Sequence, residues 1–322
     1  MKNRLRIGTR DSQLAVWQAT LVQDELKKNG VDSEMVLIKS EGDIDLVTPL
    51  YELGVQGIFT QTLDAALLNN RIDIAVHSMK DVPTKPAKGI VQAAVLKRAS
   101  HKDILVYKES ATLNALGFVN GEWSMVNDQS SVDHTFTIAT SSIRRKAQWL
   151  NRYPDHTIEN LRGNVNTRLR KLGESNWSGA IFAAAGLERI NLRPANSVAL
   201  DWMLPAPAQG AIMVVCREAD VVIKQVCAAL NDDATALCTK TERDFLRALL
   251  GGCATPIGAL AQWKEGNIVF NGNILSVDGR KKTEVSFDVP SSEADDLGNR
   301  AAQELLGKGG DEIVNAIRNA GV

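Results

Sequence analysis

The chain has only four cysteines and four histidines in 322 residues. No two cysteines stand at Cys-x-x-Cys spacing and the histidines do not cluster. Neither a disulfide framework nor a metal site is expected, and the thiols are expected to be reduced. Long apolar runs are also missing. The longest, around "GAIFAAAGL", falls far short of the roughly 18 to 20 residues that cross a bilayer, and the opening "MKNRLRIGTR" is charged with no apolar leader core. The expected location is the cytoplasm, with no membrane partner. No sustained heptad pattern occurs, so a monomer is expected. The net charge of -1 names no partner by bulk electrostatics, and no nucleic-acid partner is expected.

What is present is ordinary for a folded protein: 44% hydrophobic and 23% charged residues, with length for two or three domains. Charge is unevenly spread. Between Thr140 and Lys171 stand eight basic residues (Arg144, Arg145, Lys146, Arg152, Arg162, Arg168, Arg170, Lys171) against Asp155 and Glu159. That run is either an anion site or a solvated helical face.

The first third alternates strand and helix signals: "LRIGTR", then "SQLAVWQATLVQDELKKNG" ending at Gly30, then "SEMVLIKS", "GIFTQTLDAALLNN" and "IDIAVHS". Such alternation predicts parallel strands with crossover helices, and binding groups then gather at the carboxyl ends of strands. The rule points at "GTRDS" and "HSMKDVP". A second unit of the same kind covers "TFTIATSSIRRKAQWL", "HTIENLRGNVNTRLRKLG" and "SGAIFAAAGLERI". Within it "LGFVNGEWSMVNDQSSVDH" lacks periodicity and reads as a long surface loop or hairpin. After the Pro-rich "MLPAPAQG", "AIMVVCR" reads as a buried strand that returns the chain to the first unit. The last ninety residues are α+β: a helix with a stripe at Leu237, Cys238, Phe245 and Leu249, alternating strands with an Asp278-Gly279 turn, and two closing helices. The boundaries read as residues 1–104 with 209–230, then 105–208, then 231–322.

Several stretches carry chemistry. In "TSSIRR", Thr140, Ser141 and Ser142 are good N-cap residues, and the following amides with Arg144 and Arg145 can converge on one anion. In "LRGNVNTRL", Arg162 precedes a Gly turn and Arg168 lies inside the next helix. A parallel sheet brings both helix starts to one edge, and several planar guanidinium forks there suit carboxylates or phosphates. In "VHSMKDVP", a strand delivers Lys80 and Asp81 to a strand end, either as catalytic groups or as a local ion pair before Pro83. His77 reads as a hydrogen-bonded structural residue. Cys216, Cys227 and Cys238 read as small core residues. Cys253, in the Gly-rich "LLGGCATPIGA", can project into a cleft as a nucleophile, with no base evident beside it.

Taken in order, "GTRDSQLA", "IDIAVHSMKDVP", "TSSIRR", "LRGNVNTRL", "AAAGLER", "LPAPAQGA" and "GGCATPIGA" closely resemble the porphobilinogen deaminases, or hydroxymethylbilane synthases, colinearly over nearly the whole chain. The resemblance implies an α/β fold: two periplasmic-binding-protein-like α/β domains plus a small C-terminal α+β domain. It implies a dipyrromethane cofactor in thioether linkage to Cys253, and porphobilinogen as substrate. Four substrate molecules would be deaminated and joined head to tail, and the linear tetrapyrrole then hydrolysed off. Each pyrrole carries two carboxylates, so the resemblance assigns binding to Arg10, Ser12, Lys80, Thr140, Ser142, Arg144, Arg145, Arg162, Arg168 and Arg189. Asp81 matches the catalytic aspartate, expected to stabilise the azafulvenium cation left by loss of ammonia.

The sequence also departs from the family. The loop "ELGVQGIFTQTLD" has Gln56 and Gln61 where basic residues are common, though Phe59 is kept, so less anion binding is expected there. The segment from Ser110 to Asp133 is longer than in many relatives. Two other classes are open on the domain pattern: a noncatalytic two-domain anion-binding protein, and an enzyme using Cys253 as a transient nucleophile. The first has no need of "GGCATPIG" or Asp81.

Overall fold

The structure is a computed structural model, describing residues 4–39, 60–124, 135–249 and 255–319. The first unit contains β1 (Leu5–Arg10), α1 (Gln13–Lys28), β2 (Ser33–Ile38), α2 (Gln61–Leu68), β3 (Ile74–Ser78) and β4 (Ile90–Val95). The second contains β5 (Asp103–Tyr107), α3 (Ser110–Ala115), the short pair β6 (Phe118–Val119) and β7 (Glu122–Trp123), β8 (Thr137–Ala139), α4 (Ile143–Arg152), β9 (Thr157–Glu159), α5 (Val165–Glu174), β10 (Gly179–Ala183), α6 (Ala184–Glu188) and β11 (Ser197–Ala199). The chain then returns as β12 (Ile212–Arg217) and α7 (Val221–Ala228). It ends with α8 (Asp233–Leu249), β13 (Ile257–Lys264), β14 (Asn267–Leu275), β15 (Lys282–Pro290), α9 (Leu297–Leu305) and α10 (Asp311–Asn319).

Two five-stranded sheets result, ordered β2-β1-β3-β12-β4 and β11-β5-β10-β8-β9. Strands such as "IMVVCR" are apolar on both faces because helices cover both sides of a central strand. The expected parallel strands make up only part of each sheet. β1, β2 and β3 are parallel, as are β8, β9 and β10, but β12 runs antiparallel to β3 and β4, and β5 antiparallel to β10 and β11. The reason is where the chain crosses. β5 and β12 are the strands by which it arrives from the other unit, through residues 96–102 and 200–211. The arriving chain enters at the edge where the parallel strands end, so it must run against them. That edge, shared by both sheets, is the cleft.

The two crossings are bonded to each other, Ala99 N–H to the Gly210 carbonyl at 3.1 Å. They pass so closely that a Cβ on Gly210 (φ +88°) would lie 2.5 Å from the Ser100 oxygen. The closing unit is a three-stranded antiparallel sheet, β13-β14-β15, against α8, α9 and α10, with Phe245 and Phe270 at the centre of its core. The expected stripe on α8 faces that core. Its Asp278-Gly279 turn docks on α4, where Asn151 Nδ2 donates to the Gly279 carbonyl at 2.7 Å. In the expected loop or hairpin, an Asn120-Gly121 turn joins β6 to β7. Trp123 pins it by donating to the Ala199 carbonyl at 2.7 Å. No helix among the described residues is long and apolar enough to cross a membrane.

Candidate active site

Three turns meet at the cleft: residues 78–83 after β3, 140–142 after β8, and 160–164 after β9. Helix α4 begins with Ser142 Oγ accepting from Arg145 N–H at 3.4 Å, while Thr140 Oγ1 accepts from Ser142 N–H at 3.2 Å. Asn164 caps α5 by accepting from Thr167 N–H at 3.0 Å. Both caps give the polar residues of these motifs a structural task. Ser12 does the same for α1, accepting from Ala15 N–H at 3.4 Å.

The arginines that follow are arranged unequally. Arg144 and Arg145 converge on Asp103, which is fully buried. Arg144 Nη1 reaches Oδ2 at 2.7 Å, and Arg145 reaches Oδ1 from Nε at 3.0 Å and from Nη2 at 2.7 Å. Their remaining bonds go to backbone carbonyls, Arg144 Nη1 to Leu204 at 2.7 Å and Arg145 Nη1 to Ile181 at 2.9 Å. Burial alone would raise the Asp103 carboxyl, but the two guanidinium charges, with hydrogen bonds from Arg144 and Gln209, hold it well below the usual carboxylate range. One donor is left over. Arg144 Nε is buried without a hydrogen-bond partner among the described residues.

Arg168 has Arg145 and Arg162 as charge neighbours. Arg162 is 4% exposed, and Arg168 Nε donates to the Gly163 carbonyl at 2.7 Å. Burial, together with the nearby charges of Arg145 and Arg162, lowers Arg168 to about 10; the opposing charge is that of Asp81. Lys80 is lowered to about 8 by burial, with Asp81 and Asp103 pulling it up and Arg145 and Arg144 pushing it down. Its Nζ donates to Gln209 Oε1 at 3.3 Å, and Gln209 Nε2 in turn donates to Asp103 Oδ1 at 3.0 Å. The structure therefore gathers Lys80, Asp81, Arg144, Arg145, Arg162 and Arg168 into one electrostatic neighbourhood.

Other expected site residues lie elsewhere. Arg10 ends β1, beside His77 on β3. Arg189 reaches from the second unit to the first: its guanidinium lies 5.7 Å from the Trp17 ring centroid and donates from Nη2 to the Gly210 carbonyl at 2.7 Å. Burial lowers it to about 10, against the pull of Glu188. His77 is buried; its Nε2 makes no hydrogen bond among the described residues, and burial first, then Arg10, lowers it to about 4. Arg152, from the basic run, turns away and sits 5.0 Å from the Trp202 centroid. Cys216, Cys227 and Cys238 are core residues, and burial pushes the thiols of Cys227 and Cys238 up to about 12 and 11. Cys253, Gln56 and Phe59 lie outside the described residues; Gln61 is the first residue of α2.

Sequence reasoning passed over Asp103, Gln209, Arg98, Glu242 and Arg243, which build the polar framework around the cleft. Glu242, fully buried on α8, accepts from Arg98 Nη1 at 2.6 Å, Ala208 N–H at 2.6 Å and Ala261 N–H at 2.7 Å. A usable signal existed: an acidic residue opening an apolar strand in "KDILVY", and charged residues interrupting a helix whose neighbours are apolar.

A two-unit α/β fold with cationic side chains and the carboxylates of Asp81 and Asp103 at the shared strand edge suits small polyanions. Comparison with known proteins narrows this. Residues 5–225 match the family described as porphobilinogen deaminase, dipyromethane cofactor binding domain, and residues 236–307 match porphobilinogen deaminase, C-terminal domain. The porphobilinogen deaminase of Chlorobium phaeobacteroides (strain BS1) is 37% identical over 327 residues, covering 99% of both chains. That of Syntrophotalea carbinolica is 38% identical, covering 97% of this chain and 96% of the relative. Among solved structures, the Bordetella pertussis BvgS VFT2 domain is similar over 72% of this chain and 90% of that one, with 12% identity and a TM-score of 0.39. The chain belongs to the porphobilinogen deaminase family. It is a transferase with a dipyrromethane cofactor binding domain.

Proposed function

We propose that this chain joins four porphobilinogen molecules head to tail on a dipyrromethane held by Cys253, losing ammonia at each addition and releasing hydroxymethylbilane by hydrolysis. The observation that carries the reading is the cluster of Lys80, Arg145, Arg162 and Arg168, in which Asp81 is a charge neighbour of Lys80 and of Arg168. Burial first, and then neighbouring cations, lowers Lys80 and Arg168, an excess of positive charge that carboxylate ligands would relieve, and the buried Arg144 Nε, without a hydrogen-bond partner among the described residues, is a further donor that an acid group would satisfy. The donor set thus fits a group bearing acetate and propionate arms. When bound, the dipyrromethane supplies the pyrrole carbon to which substrate is joined.

The chain's own residues then have separate tasks. Arg162 and Arg168 bind and orient carboxylates, with Lys80 as a point charge beside them. Arg10, Ser12, Thr140, Ser142, Arg144, Arg145 and Arg189 complete the binding set. Thr140 and Ser142 act largely by fixing the start of α4, and Arg145 largely by holding the floor of the cleft through Asp103. Asp81 faces the positive charge that develops on substrate as the amine leaves, and its carboxylate stabilises that charge in a site partly closed to water. The division at 208/209 falls within the second crossing, that at 104/105 lies just after the first and inside β5, and that at 230/231 lies between α7 and α8. A monomer in the cytoplasm is the working form, checked by elution at the chain mass in size-exclusion chromatography.

The direct test follows stoichiometry. Purified protein given porphobilinogen alone should release four ammonia per hydroxymethylbilane, and Cys253→Ser should make none. Product formation by Cys253→Ser at the wild-type rate would remove the reading.

A further inference from the structure

Lys80 and Asp81 sit in a short 3-10 turn, Met79–Asp81, whose own support is slight: Val82 N–H bonds to the Met79 carbonyl at 3.2 Å. The turn takes its firmness from elsewhere. Arg243 on α8, 9% exposed, donates from Nη1 to the carbonyls of Val82 at 2.8 Å and Met79 at 3.4 Å, and from Nη2 to Pro83 at 2.7 Å. These three carbonyls bracket Lys80 and Asp81 on both sides. A planar guanidinium meets them in a fixed fork, which a flexible ammonium cannot reproduce.

The neighbouring residue on the same helix, Glu242, holds the crossing at Ala208 and the first strand of the closing sheet at Ala261. One turn of α8 therefore grips the first unit, the crossing and β13 together. The same helix ends at Leu249, and the chain runs on from it to Cys253.

We propose that Arg243 is a positioning residue for the reaction: it locks the Lys80–Asp81 turn to α8, so that Asp81 is registered against the element leading to the cofactor-bearing cysteine. This rests on the role given to Asp81 above. Displacing a reacting group by about 1 Å can lower a rate by about 100-fold, so a clamp on backbone carbonyls is enough to matter without touching substrate.

The test compares Arg243→Met, Arg243→Lys and Asp81→Ala, singly and combined. Arg243→Met keeps much of the buried volume and removes every donor. It should retain the cofactor adduct by intact mass, lower kcat by about 10- to 100-fold and change KM by less than about threefold. Arg243→Lys keeps the charge and loses the fork, and should fall between wild type and Arg243→Met at an unchanged thermal midpoint. In the Asp81→Ala background, adding Arg243→Met should cost less than about twofold more, because residues acting as one unit are not additive. Wild-type kcat in Arg243→Lys, or an equal loss from Arg243→Met with and without Asp81, would overturn the proposal. A crippled Asp81→Ala beside an unaffected Arg243→Met sinks this inference alone. Near-normal turnover in Asp81→Ala sinks the reading of Asp81, and this one with it.

Discussion

Arg144 and Arg145 share the buried carboxylate of Asp103, whereas Arg168 and Lys80 donate to neutral groups, the Gly163 carbonyl and the Gln209 side chain; burial lowers Arg168 and Lys80, as it lowers Arg144, and neighbouring cations add to it. The difference is in where the counter-charge comes from. The first pair brings its own, and the result is a rigid floor tying α4 to the start of β5. The second set has Asp81 as a charge neighbour and an excess of positive charge that favours added carboxylates. Adjacent basic motifs in one sequence thus divide between building the cleft and filling it with positive potential.

Breaking the floor should have the largest effect on folding. Asp103→Ala leaves two buried guanidinium groups without their acid, and the cost should be about 3 to 5 kcal/mol in urea unfolding. Since Asp103 titrates below its unfolded value near 3.9, its contribution is complete above that pH and is withdrawn only as pH falls through the lower folded value. Next comes the centre of the second set. Asp81→Ala should lower turnover by roughly two to three orders of magnitude or more, a loss of roughly 3 kcal/mol, with the unfolding midpoint nearly unchanged. Arg168→Met should then raise KM by about 10-fold or more, from the loss of one charge-assisted bond of about 1.5 to 3 kcal/mol, measured by steady-state kinetics. A subtler prediction concerns pH. Lys80 is cationic below about 8 and neutral above it, so kcat/KM should fall as pH rises through that value, and Lys80→Arg should remove this alkaline limb. Smallest is Trp17→Ala, which takes away the aromatic face beneath Arg189 and should cost about 0.5 to 2 kcal/mol of stability.

The sequence was most readable where local chemistry decides the structure. Apolar periodicity placed β1, β3, β10 and α8, and Ser142 announced the start of α4. The stripe of Cys238, Phe245 and Leu249 faces the core, as its spacing requires. It was least readable where partners are distant. "TSSIRR" shows two arginines but not that Asp103, about forty residues earlier, neutralises them, and nothing in "PAPAQG" shows Gln209 bridging Lys80 to that carboxylate. Strand direction was hidden for a similar reason. Whether β5 and β12 run with or against their neighbours depends on the edge at which the chain enters each sheet, a property of the crossing rather than of the strand. Arg243 and Glu242 look like any charged pair on a helix until α8 is seen to run between three parts of the molecule.

The proposed permanent anchor at Cys253 is tested most directly by intact mass spectrometry of the purified chain. Wild-type protein should be heavier than its sequence by one dipyrromethane, Asp81→Ala should carry the same adduct, and Cys253→Ser should return to the sequence mass. A wild-type chain of unmodified mass with full activity would contradict it.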